Sequence, residues 1–101
     1  MPSYAADATP VGFAARSTDL AIWTGFGRLS GWSIRETAGA VAAIRFHDGT
    51  DATGEIIGVV GFAANASDQG PNMDEGIRFS TGVFMERVSG TFEGVVYIRS
   101  D

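Results

Sequence analysis

From about Leu29 to Arg99 the chain alternates large apolar residues with polar or small ones. Trp32 and Ile34 alternate with Ser33 and Arg35, and Ala42, Ile44 and Phe46 with Ala43, Arg45 and His47. Ile57, Val59 and Gly61 alternate with Ile56, Gly58, Val60 and Phe62. A period of two turns successive side chains to opposite faces of a strand, so these segments read as strands. Runs rich in valine, phenylalanine and isoleucine follow at residues 76–79, 82–89 and 91–99, with glycine or Asx punctuation between them. With residues 20–23 added, the pattern predicts an all-β fold, a small antiparallel β-sandwich or jelly-roll-like barrel of six to seven strands. No segment is a convincing amphipathic helix: the alanines of residues 38–43 are interrupted by Gly39 and overridden by the Ile-Arg-Phe alternation that follows.

Residues 1–28 lack this periodicity. Pro2 and Pro10 break it, and large apolar groups occur singly at Tyr4, Phe13, Leu20, Ile22, Trp23 and Phe26. The texture predicts an extended N-terminal arm over residues 1–28 and a β-sandwich domain over 29–101. Disordered tails carry few aromatic residues. The arm is therefore expected to order, laying Tyr4, Phe13 and Trp23 on the body or on a neighbouring subunit.

Residues 82–89 and 91–99 invite a hairpin. A two-residue loop at Ser89-Gly90 would set Glu86 against Glu93, a destabilising like-charge pair. A three-residue loop, Ser89-Gly90-Thr91, sets Arg87 opposite Glu93 and Val88 opposite Phe92, and is the preferred register. It groups Phe84 and Val88 with Phe92, Val96 and Ile98, leaving Val83, Met85, Val95 and Tyr97 on a second apolar face that needs cover.

Composition narrows the chemistry. A chain of 101 residues is one domain, and it has no cysteine and a single histidine. Disulfides, thiol nucleophiles and ordinary zinc sites are excluded together, and no cofactor is implied. The net charge is −5, and the seven arginines are spread along the chain with no basic cluster, which speaks against nucleic acid. The opening Met1-Pro2-Ser3-Tyr4 has no secretory n-region, and no apolar run approaches the length of a membrane span.

All seven basic residues are arginines; lysine is absent. Ile-Arg recurs at Ile34-Arg35, Ile44-Arg45, Ile77-Arg78 and Ile98-Arg99, a pattern that turns each isoleucine inward and each arginine outward on a strand. Arginine is favoured and lysine disfavoured at protein interfaces. A GC-rich codon bias would give the same composition.

The most polar stretch is residues 47–55. Its carboxylates at Asp48, Asp51 and Glu55 raise a calcium loop, but their spacing does not fit an EF-hand. Turn chemistry by Asp-Gly and Thr-Gly, joining two strands, accounts for it better. His47 with Asp48 or Asp51 and Ser80 would be the raw material of a hydrolytic triad, without any Gly-x-Ser-x-Gly elbow; a half-exposed histidine at a strand end is the simpler expectation. Gly25, Gly27 and Gly31 miss the dinucleotide spacing, and Asn65-Ala66-Ser67 fits a glycosylation acceptor but reads as a loop. The loop over residues 64–75 is long enough to touch a partner.

Three runs carry a resemblance: Ile44-Arg45-Phe46-His47-Asp48-Gly49-Thr50-Asp51-Ala52-Thr53-Gly54, then Gly76-Ile77-Arg78-Phe79-Ser80-Thr81-Gly82-Val83-Phe84, then Val88-Ser89-Gly90-Thr91-Phe92-Glu93-Gly94-Val95-Val96-Tyr97. Over residues 40–99 the chain resembles small virion structural proteins of tailed bacteriophages. The resemblance implies a non-enzymatic β-sandwich in the virion, a capsid decoration or cement protein binding the major capsid protein or other virion proteins, with homo-oligomers expected. Neck, tail or baseplate components and a carbohydrate- or receptor-binding module are the alternatives. The interface candidates are Tyr4, Phe13, Trp23, Trp32, Arg35, Arg45, Arg78 and Arg99, since tryptophan and arginine dominate binding hot spots.

Overall fold

The alternating segments form strands. The computed structural model describes residues 8–70 and 76–99. They hold nine strands and no helix: β1 (Thr9–Arg16), β2 (Leu20–Thr24), β3 (Gly27–Glu36), β4 (Ala42–Asp48), β5 (Glu55–Phe62), β6 (Ser67–Gln69), β7 (Ile77–Phe79), β8 (Gly82–Ser89) and β9 (Phe92–Arg99). They build two antiparallel sheets, one ordered β1-β9-β3-β6 with β7 also on β3, the other β2-β8-β4-β5. The fold is a small antiparallel β-sandwich, as the periodicity predicts.

The inward residues of both sheets make one core. Leu29, Trp32 and Ile34 of β3, with Phe92, Val96 and Ile98 of β9, face Ile44 and Phe46 of β4, Val60 and Phe62 of β5, and Val83 and Met85 of β8; all are buried. Trp32 and Phe46 meet with ring centroids 5.0 Å apart. Gly70 makes the slot for the indole, because a Cβ there would lie 2.3 Å from Trp32 Cε2. The isoleucine-arginine rule holds in the sheets: Ile34, Ile44 and Ile98 are buried and Ile77 partly so, while Arg35, Arg45 and Arg78 are exposed and Arg99 is half-buried.

Three expectations are corrected. Residues 9–28 are not an arm outside a domain at 29–101. β1 pairs with β9 from Thr9↔Ile98 to Arg16↔Phe92, β2 pairs with β8, and β3 has begun by Gly27. Alanine and glycine hid the strand character there: β1 reads TPVGFAAR, yet Val11 and Phe13 pack on the core. Tyr4 lies outside the described residues.

The strand total is nine among the described residues, rather than six or seven. The extra ones are β1 and the three-residue β6, which sits inside the expected 64–75 loop; residues 71–75 lie outside the described residues.

The third correction concerns residues 89–91. They are not a hairpin loop but the corner where the chain passes between sheets, since β8 lies beside β4 and β2 and β9 beside β1 and β3. Val83 and Met85 therefore face the core from one side and Phe92, Val96 and Ile98 from the other, while Phe84 is half-buried and Val88 exposed. Gly90 adopts φ 87° at this corner, and a Cβ there would lie 2.3 Å from that of Ala42. Glu93 stands opposite Arg35 instead of Arg87, and the two form an ion pair at 2.9 Å.

A carboxylate missed by sequence reasoning anchors the loops at one end. Glu36 is buried at 2% exposure, and its oxygens accept from four backbone N–H groups: Ala38 at 2.6 Å, Gly39 at 2.9 Å, Ala40 at 3.2 Å and Asn65 at 2.8 Å. The Asn65 N–H holds its carboxyl below the usual range, burial opposes this, and the other three N–H groups add to the lowering.

Candidate functional site

β3 lies between β9 and β7, and its Arg28 stands opposite Arg99 on one side and Arg78 on the other. Directly opposed residues share a sheet face with Cβ atoms about 5 Å apart. The neighbouring Leu29 and Ile98 point into the core, so the three arginines line the outer face. Like charges in such a row are destabilising on their own. Arg28 and Arg99 both interact further within the chain.

Beside the row opens a cleft of about 330 Å³, lined by Phe26, Gly27, Arg28, Arg78, Phe79 and Ser80. Phe26 is 66% exposed at the turn between β2 and β3. Gly27 lets the strands close up here, because a Cβ would lie 2.7 Å from the Arg99 carbonyl oxygen. An exposed aromatic ring beside guanidinium groups suits carboxylates and planar groups of another molecule, by bidentate pairing and stacking. The sequence singled out Arg78 and Arg99, but Phe26 and Arg28 join them only through strand pairing.

The other sheet carries a second polar group on its outer face. Arg45 stands opposite Glu86 and Val59, and His47 opposite Phe84 and Ile56. Glu86 Oε1 is 2.8 Å from His47 Nε2 and 3.7 Å from Arg45 Nη1, while His47 Nδ1 is 2.8 Å from the Gly54 carbonyl oxygen. His47 is buried at 2% exposure rather than half-exposed, because the loop over residues 49–54 folds onto it.

Both ring nitrogens thus face oxygen acceptors. Ser80 Oγ donates to Asp48, not to His47. The triad raised by the sequence is therefore not assembled: its histidine and its serine are bound to different carboxylates.

Two of the three carboxylates considered for calcium do turn chemistry, and the third, Glu55, begins β5. Asp48 accepts from Ser80 N, Thr81 N and Gly82 N at 3.0, 2.9 and 3.4 Å, clamping the turn between β7 and β8. Asp51 accepts from Thr53 N at 2.9 Å and from its hydroxyl. Among the described residues no three His, Cys, Asp or Glu side chains gather where a metal ion could be held.

Partial burial pushes the Asp48 carboxyl up, but the three N–H groups and the Ser80 hydroxyl hold it below the usual range. A lowered folded pKa stabilises above the unfolded value and is lost as pH falls through the folded one. Acid titration below about pH 4 is therefore expected to melt the protein progressively. Asp48→Asn should lower stability at pH 7 and flatten that acid slope, as read by thermal melts between pH 2 and 7; an unchanged slope would remove Asp48 from the account.

The remaining interface candidates divide. Trp32 is corrected to a core residue, 7% exposed, whose Nε1 donates to Asp68 at 2.9 Å. Phe13 and Trp23 are partly buried against the core, Phe13 edge-on to Phe92 with centroids 6.2 Å apart. Arg35 and Arg45 are exposed and paired with Glu93 and Glu86.

Comparison with protein-family models, curated proteins and solved structures finds no match. No helix among the described residues is long and apolar enough to cross a membrane.

Proposed function

We propose that the protein is a non-enzymatic structural component that works by binding other protein subunits. Following its resemblance to virion proteins, its place is the head of a tailed bacteriophage, as a decoration protein on the major capsid protein, assembled in the host cytoplasm. The observation that carries the binding role is the Arg99-Arg28-Arg78 row beside exposed Phe26. Arginine and aromatic rings make up the hot spots of interfaces. On a chain of net charge −5, exposed Arg78 beside exposed Phe26 offers a guanidinium and an aromatic ring to a carboxylate-bearing segment of a partner.

The engaged His47 and Ser80 side chains support a binding role over hydrolysis. A carbohydrate module would present tryptophan beside Asp or Asn at a loop, whereas Trp32 spends its N–H on Asp68 inside the sandwich.

Quantitative mass spectrometry of native particles tests the proposal. Hundreds of copies per particle are expected for a head decoration protein. Six or twelve would move it to a neck or tail ring, and absence from particles would overturn the virion reading.

A further inference from the structure

β5 ends its sheet, and among the described residues it pairs with β4 alone. The N–H and C=O groups along its other side are a template for another strand. The other strands at sheet ends carry protections that β5 lacks. β1 contains Pro10 and an irregularity between Phe13 and Arg16, β2 has five residues and an irregularity between Ala21 and Trp23, and β6 and β7 have three residues each. β5 has eight residues, EIIGVVGF, with no proline and no charge after Glu55. Its register shift falls at Ile57, so residues 58–62 run evenly along β4 from Phe46 to Ala42. Val59 is 68% exposed.

We propose that residues 58–62 pair antiparallel with the same residues of a second copy, about a two-fold axis at Val60, joining two four-stranded sheets into one. The inference rests on the assembly role above and names a second copy as one partner. Gly58-Val59-Val60-Gly61-Phe62 is complementary to itself in this register: Phe62 stands opposite Gly58, Val59 opposite Gly61, and Val60 opposite Val60. Each large side chain outside the centre meets a glycine, and an aromatic ring over a cross-strand glycine is a known stabilising pair. The register also keeps faces matched. Gly58, Val60 and Phe62 lie on the core side and Val59 and Gly61 outside, and a one-residue slip would mix them.

Charge selects the direction. Antiparallel pairing holds the two Glu55 carboxylates at opposite ends, whereas parallel pairing would set them side by side. An acidic chain that binds itself does so along an uncharged strip, and residues 56–62 are one.

Sedimentation of the full chain over a concentration series, with hydrogen exchange on the same samples, tests this. The expected result is a dimer of twice 10.6 kDa in which those amides of residues 58–62 that point away from β4 lose protection on dilution. Val59→Lys, at an exposed position that leaves folding intact by circular dichroism, should weaken dimerisation at least about tenfold, since an edge lysine opposes strand addition. Ile56→Lys, exposed but outside the paired segment, should leave it unchanged. A monomer at all concentrations, a dimer indifferent to Val59→Lys, or equal loss in both variants would overturn the proposal. A monomer still counted in hundreds per particle would overturn edge pairing alone and leave the assembly role standing.

Discussion

Gly94→Ala is expected to lower the melting temperature by about 15 °C, an effect of about 3 kcal/mol on a domain of this size. Gly94 lies in β9 between Phe13 of β1 and Ile34 of β3. A Cβ there would be 2.3 Å from the Ser33 carbonyl oxygen and 2.7 Å from Ile34 Cα. Both are backbone atoms of the adjacent strand, so no rotamer change relieves the overlap. β3 and β9 must separate in the middle of the five-stranded sheet, stretching their ladder and loosening the core beneath. Gly12→Ala, on β1, is the control: its Cβ would meet only Val95 Cγ2 at 3.5 Å and the Gly94 carbonyl oxygen at 3.8 Å, which are ordinary contacts. Scanning calorimetry of both variants reads the difference. A Gly94→Ala protein melting within about 3 °C of wild type would contradict the close approach of these strands.

Glu36→Gln should come next, lowering the melting temperature by about 10 °C. The glutamine has the right size but one acceptor oxygen. Oriented to serve Gly39, Ala40 and Asn65, it turns its NH₂ toward the Ala38 N–H, donor against donor. The variant should also free the loops around residues 38–40 and 65, seen as faster amide exchange there. Equal protection in variant and wild type would show that the loops hold without the carboxylate.

The strands of residues 29–62 were legible because their core is built from large residues at a strict period. Ile34, Ile44 and Phe46 alternate with Arg35 and Arg45, and burial follows that alternation. The turn after Asp48 was legible from its Asp-Gly and Thr-Gly pairs. What could not be read were decisions made by distant partners. Ser89-Gly90-Thr91 has the same turn chemistry whether it closes a hairpin or turns a corner between sheets, and the outcome shows only in the distant strands that β8 and β9 pair with. β1 has too few large residues to announce itself, and it is a strand because β9 offers it an edge.

The candidate site was legible only in part for the same reason. Arg78 and Arg99 stand out as members of Ile-Arg pairs, but Arg28 comes between them only once β3 is inserted between β7 and β9. Trp32 looked like an anchor for a partner because its chemistry suits one; a slot shaped by Gly70 and an acceptor at Asp68 claim it for the interior. Glu36 gave no signal at all, since a glutamate whose oxygens are filled by main-chain N–H groups looks in sequence like any solvated one.

The position of β9 also sets the order of events during synthesis. It is made after the other eight strands of the described residues, yet β1 and β3 both hydrogen-bond to it and not to each other. While the ribosome extends the chain, β2, β8, β4 and β5 can complete their sheet once β8 emerges, but β1 and β3 wait with Val11, Phe13, Trp32 and Ile34 uncovered. Closure of the second sheet, and with it the core, therefore waits for β9 and joins segments some eighty residues apart, the kind of long-range pairing that makes β-sandwiches fold slowly.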